Sequence, residues 1–104
     1  MEYGLYIAGT EITSENYNDI SNFEGVSGRV SYDPNSNTLT LDNATITTRI
    51  EDYECIKNFG CITIKLIGSN TLIAYKDHGI YNHYGSITIK GATSDATLII
   101  KDLN

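Results

Sequence analysis

Basic residues are scarce in this 104-residue chain: seven Lys and Arg stand against 13 Asp and Glu, a formal charge of −6. The acidic excess sits in residues 1–60, which carry ten acidic and three basic side chains, whereas residues 61–104 carry three and four. Without a Lys/Arg cluster there is no electrostatic footprint for a phosphate backbone, which argues against nucleic acid as a partner and equally against an anionic membrane surface. No apolar run approaches the roughly 20 residues of a membrane-spanning helix, so no membrane insertion is expected. Met1-Glu2-Tyr3-Gly4 lacks the basic-then-apolar order of a signal peptide. Two cysteines, Cys55 and Cys61, are too few for a disulfide scaffold or a cysteine-only zinc site. They read as free thiols in small-residue slots, with a bridge across the turn between them as the alternative. Proline occurs once, at Pro34 after Asp33, where a turn begins. At this length the chain makes a single domain, 1–104.

What the chain does have is a repeat. Leu39-Thr40-Leu41 returns as Ile62-Thr63-Ile64 and as Ile87-Thr88-Ile89, offsets of 23 and 25 residues, while Thr45-Ile46, Thr71-Leu72 and Thr97-Leu98 lie 26 apart. A period in this range, built from short alternating β-branched segments, is the signature of a solenoid whose coils stack. Alternation aligns Leu39/Ile62/Ile87 and Leu41/Ile64/Ile89 inward, with Thr40/Thr63/Thr88 outward between them and Asp42/Lys65/Lys90 following. A second strand aligns Ile46/Leu72/Leu98. A third, shorter one aligns Ile56/Ile80, each followed by an aromatic-glycine pair, Phe59-Gly60 and Tyr84-Gly85. Asp42 beside Lys65 is expected to form a ladder ion pair, and Phe59 is expected to stack on Tyr84.

Three strands per coil predict an all-β fold, a short three-sided right-handed parallel β-helix of about three coils over residues 29–104. Residues 1–28 read as an N-terminal cap. Leu5, Ile7 and Ile12 alternate around Ala8-Gly9 as a tight hairpin. Ser14 is placed to N-cap a short helical turn through Asn16–Ile20, and 24–28 reads as a loop. A compact antiparallel sandwich is the competing fold, against which the register between repeats argues. The strong strand Thr97-Leu98-Ile99-Ile100 has no visible cap after it, which predicts pairing either with a second copy or with a continuation of the chain, self-association into a homo-oligomer being the simpler case.

Candidate chemistry is concentrated in two places. Tyr75, His78, Tyr81, His83 and Tyr84 form the densest polar-aromatic stretch, with ring faces for sugar stacking and imidazoles for hydroxyl hydrogen bonds. Mutual packing of the rings is the plainer explanation. Glu51, Asp52 and Glu54 cluster before the third strand, the residue type that Ca²⁺ asks for, although their spacing matches no defined calcium loop. Solvated surface charge is the plainer explanation there. No nucleophile, zinc pattern or paired catalytic carboxylate is visible, so no catalytic residue is expected. The outward threonines form single columns, which ordinary β-propensity explains without an ice-binding role.

The stretch Val30-Ser31-Tyr32-Asp33-Pro34-Asn35-Ser36-Asn37-Thr38-Leu39-Thr40-Leu41-Asp42-Asn43-Ala44-Thr45-Ile46, then Leu66-Ile67-Gly68-Ser69-Asn70-Thr71-Leu72 and Gly79-Ile80-Tyr81, resembles a repeat of predicted surface proteins from anaerobic bacteria. The opening Leu5-Tyr6-Ile7-Ala8-Gly9-Thr10-Glu11-Ile12-Thr13 shares in it. Those proteins are similar to the pectate-lyase-like β-helix group and are often labelled carbohydrate-binding. The resemblance implies a β-helix, an extracellular or cell-surface location, and polysaccharide as partner, with calcium in some relatives. It implies no catalytic residue. A non-catalytic carbohydrate-binding module is the leading expectation, a self-assembling structural solenoid the second, and a polysaccharide lyase or hydrolase the third.

Overall fold

The computed structural model describes residues 2–48, 54–75 and 79–102. Ten strands follow one another: β1 (Glu2–Ile7), β2 (Thr10–Thr13), β3 (Val26–Asp33), β4 (Thr38–Thr47), β5 (Ile56–Phe59), β6 (Ile62–Ile67), β7 (Ser69–Ala74), β8 (Ile80–His83), β9 (Ile87–Gly91) and β10 (Thr97–Asp102). The fold is all-β. Its centre is a curled parallel sheet of five strands in the order β10-β7-β4-β6-β9, with β3 antiparallel on β4. A second sheet, β2-β1-β5-β8, closes on the same apolar core.

β4 is long enough to serve two ladders. Thr38–Asp42 pairs with β6, and Thr45–Thr47 pairs with β7. The bend between them falls at Asn43, whose φ is +50°, and the next pass of the chain bends at Gly68, φ +71°. Glycine is required at the second bend because the Asn43 side chain occupies the place of the missing Cβ, an atom of it lying 2.2 Å from where that Cβ would be. Each strand then alternates. Leu39, Leu41, Ile46, Ile56, Ile64 and Leu72 point inward with no exposure, each contributing about 1.5–3 kcal/mol through burial.

The register corrects the sequence alignment. Leu39 lies beside Ile64 and Leu41 beside Leu66, an offset of 25 residues, so the outward threonine column is Thr38/Thr63/Thr88. Leu72 lies beside Ile100, an offset of 28, and Leu98 beside Asn70. Both errors are shifts of two residues, which leave every side chain on the correct face. With the register goes the expected ion pair: Asp42 faces Ile67 on one side and Arg29 on the other, while Lys65 lies between Thr40 and Lys90.

At the N-terminal end the hairpin forms as expected, its turn residues Ala8 and Gly9 both at positive φ, +50° and +87°. The helical turn does not. Residues 14–18 make turns, and the only helical element among the described residues is a short 3-10 helix, Ile20–Asn22, whose N-cap Asp19 accepts from the Asn22 side chain and caps no backbone N–H. Asn16 is committed elsewhere: its amide oxygen accepts from Thr13 N at 2.8 Å and its nitrogen donates to Glu11 O at 3.0 Å. Such side chain to backbone bonds compete with helix formation. The expected loop at 24–28 is also shorter than read, because β3 begins at Val26 and passes through a register shift between Ser27 and Arg29.

Buried asparagines fasten successive passes of the chain to one another. Asn70 accepts from Ala44 N at 2.8 Å and donates to Ile67 O at 3.2 Å and Thr97 O at 3.3 Å, touching three successive passes of the chain. Asn58 donates to Asn82 Oδ1 at 3.0 Å and to Gly60 O at 3.1 Å. Asn70→Ala should cost about 1–3 kcal/mol, since it strands the buried Ala44 amide and two carbonyls. Urea denaturation will measure it, and a loss confined to a few tenths would show that the bonds are replaced by water.

Candidate functional site

Alternation in the smaller sheet separates core from surface. Leu5, Ile7, Ile56 and Asn58 are buried, and Ile80 and Asn82 follow them in register. The residues between them point outward, so that Tyr6, Lys57 and Tyr81 form one row across β1, β5 and β8, with Phe59 and His83 in the next. The sheet therefore carries an aromatic outer face. Phe59 meets Tyr6 edge-on at 6.3 Å between centroids and His83 edge-on at 5.7 Å. The Tyr81 and His83 rings lie 5.9 Å apart and only 19° from parallel, and the Tyr81 hydroxyl and His83 Nδ1 share a 3.1 Å hydrogen bond. The Lys57 ammonium sits 5.8 Å from the Tyr6 ring and 5.5 Å from that of Phe59, within cation-π range.

Tyr84 completes the cluster from the corner after β8. Its ring centroid lies 3.9 Å from that of His83, and the residue is 84% exposed. It does not stack on Phe59 as expected. The offset on this ladder is 24 residues, so Phe59 is in register with His83 and Tyr84 falls where the previous coil has Gly60. Gly60 has φ +108° and Tyr84 has φ +64°. A bulky residue in the left-handed region costs about 1–2 kcal/mol, and burial of the ring does not offset it here.

Of the aromatic residues singled out from the sequence, Tyr81, His83 and Tyr84 come together. Tyr75 is exposed just beyond β7, in the other sheet, and His78 lies outside the described residues. Sequence reading missed Tyr6, Lys57 and Phe59, which come from two other strands. Their signal was the alternation Leu5-Tyr6-Ile7 and Ile56-Lys57-Asn58-Phe59, each outward position occupied by a ring or a long cation.

Glu51 and Asp52 lie outside the described residues, and Glu54 is half-buried beside Cys55. Among the described residues no group of three His, Cys, Asp or Glu is placed to hold a metal ion. A groove of about 680 Å³ opens between the Ala8-Gly9 turn and the Thr45–Thr48 segment. Its lining mixes threonine and serine hydroxyls and Glu24 with Ala8 and Val26, and contains no ring.

Both thiols are free. Burial pushes Cys55 up to about 11, whereas Cys61, exposed at the coil edge, is lowered by hydrogen bonds from the Ser86 backbone and hydroxyl. No family model, curated protein or solved structure matches this chain. No helix of the described residues is long and apolar enough to cross a membrane.

Alkylation of the folded protein should label Cys61 alone, with Cys55 reacting only after unfolding, as mass spectrometry will read. Because the unfolded chain ionises Cys55 near its ordinary value of 9 and the folded protein only near 11, stability should fall as pH rises through that window. Urea midpoints across the window will show a shallower decline in Cys55→Ala than in the parent chain.

Proposed function

We propose that this chain is a non-catalytic carbohydrate-binding module of the cell surface or extracellular space, binding polysaccharide on the aromatic outer face of β1, β5 and β8. The observation that carries the reading is that face itself: Tyr6, Lys57, Phe59, Tyr81, His83 and Tyr84 are contiguous, outward, and covered by no other element among the described residues. Phe59 is 42% exposed and Tyr84 is 84% exposed, so apolar ring surface remains in water where a sugar ring could cover it. Beside the rings stand groups that suit hydroxyls or a uronate carboxylate, the Lys57 ammonium and the free edge of the His83 imidazole. The strained φ of Tyr84 supports the same reading, because strain that packing does not explain concentrates where a side chain must be presented.

The scaffold in this reading is a short three-sided right-handed parallel β-helix. Its sides are the ladders β4-β6-β9, β4-β7-β10 and β5-β8, and its N-terminal cap is the β1-β2 hairpin with β3. It agrees with the resemblance to surface-protein repeats of the pectate-lyase-like group. Catalysis is left out of the proposal: among the described residues the register places one carboxylate, Glu11, next to Tyr6, whereas glycoside hydrolysis uses two at about 5–9.5 Å. Calcium enters only through Glu51, Asp52 and Glu54, and is tested with the ligand.

A glycan array probed with calcium and again with chelator should give binding to a defined class of polysaccharide. A blank array from folded protein would overturn the proposal, and loss of signal in chelator would bring in the three carboxylates. On the best ligand, Tyr81→Ala and Phe59→Ala should each weaken binding on the order of tenfold, about 1.4 kcal/mol, by calorimetry. Tyr84→Gly separates function from fold: it should weaken binding while leaving the urea midpoint unchanged or higher, since glycine relieves the strained backbone.

A further inference from the structure

The two ends of the molecule treat their strand edges in opposite ways. At the N-terminal end, the outer edge of β2 is plugged by the Asn16 amide, which satisfies Thr13 N and Glu11 O. The outer edge of β3 is occupied at Val30 by Ser21, whose hydroxyl accepts from Val30 N at 3.0 Å and donates to Val30 O at 3.3 Å. Side chains that occupy edge groups in this way prevent pairing with another chain. At the other end, β8, β9 and β10 each terminate their ladder, and among the described residues no element pairs with their free edges.

The apolar interior opens at that same end. Ile89 is 47% exposed and Ile100 49%, although Ile64 and Leu72, their register partners one coil inward, are fully buried. Ile80, Ile87 and Leu98 are only partly covered. The buried asparagine ladder also runs out here: Asn82 accepts from Asn58, and the described contacts give its own amide nitrogen no acceptor. Among the described residues this end is uncovered, and a covering layer must bring aliphatic side chains and strand edges together.

We infer that a second copy of this chain supplies it, the two molecules docking tail to tail through β8, β9 and β10. The N-terminal edges, interrupted at Glu11, Thr13 and Val30, offer those strands no continuous run of free groups, so the end with free edges in this molecule is matched by the same end of another. Contact between identical surfaces is isologous, which places the edges antiparallel and closes the assembly at two copies. Charge permits it. The chain is at −6, but the described residues from Ile80 onward carry Lys90 and Lys101 against Asp95 and Asp102, so two such ends do not repel.

The test is mass in solution by light scattering over a concentration series of the purified chain. The expected result is a shift from 11.5 kDa to twice that value, with nothing larger. A monomer at every concentration would overturn the inference. So would open-ended polymers, which need the N-terminal edges to accept strands. Ile89→Lys combined with Ile100→Lys should give a monomer with an unchanged circular dichroism spectrum, both sites being half-exposed. Should that variant unfold, hydrogen exchange on the parent chain decides: amides of β8, β9 and β10 should gain protection with concentration, and unchanged exchange would refute the dimer. The result is independent of whether the aromatic face binds sugar, because the outward rings and the open end are different surfaces.

Discussion

A strand amide removed from water must find an acceptor, and in this protein the acceptor nearly always belongs to the next pass of the chain. The parallel ladders β4-β6-β9, β4-β7-β10 and β5-β8 meet that requirement while stacking aliphatic on aliphatic across the same interval. Neither half works alone. A single pass of the chain would leave its amides unpaired on both sides and its isoleucines in water. The buried asparagines Asn58 and Asn70 extend the same logic to the bends, where the backbone turns away from its ladder and a side-chain amide takes its place.

The repeat was legible because β-branched alternation survives any reading frame, and the strands fall where that alternation predicts. Register was not, and the reason is geometric. Sliding one strand past another by two residues preserves which side chains face inward, so Leu39 beside Ile62 and Leu39 beside Ile64 look equally good to a hydrophobic pattern. What selects between them is the bend, where Asn43 must sit over Gly68, and nothing in the period announces that contact. The hairpin turn, by contrast, was legible from Ala8-Gly9 alone. Half of the ring cluster was legible as a dense stretch, Tyr81 to Tyr84, but Tyr6, Lys57 and Phe59 join it only through strand pairing, one of those pairings antiparallel and thus invisible to the repeat.

Outward and inward residues of the smaller sheet answer to different demands. Leu5, Ile56 and Ile80 hold the coil together, whereas Tyr6, Lys57 and Tyr81 stand one residue away along the same strands and take no part in the core. Chemistry on that face is therefore free to change without repacking. Tyr84 shows the limit of the separation, since its exposed ring is bound to a backbone conformation that Gly60 adopts with ease one coil earlier.

The bends differ in how much chain they contain. Between β6 and β7 there is Gly68 alone, while between β9 and β10 the segment Ala92–Ala96 intervenes, yet Ala92 N still reaches Leu66 O at 2.8 Å and Thr97 N reaches Gly68 O at 2.9 Å. Chain length and ladder register are thus uncoupled at this corner: added residues loop outward, and the strands on either side keep their partners. A curled parallel sheet with such a joint can lengthen at its corners over evolutionary time without rewriting its core, and the corner is a natural point at which a foreign peptide could be spliced in and displayed.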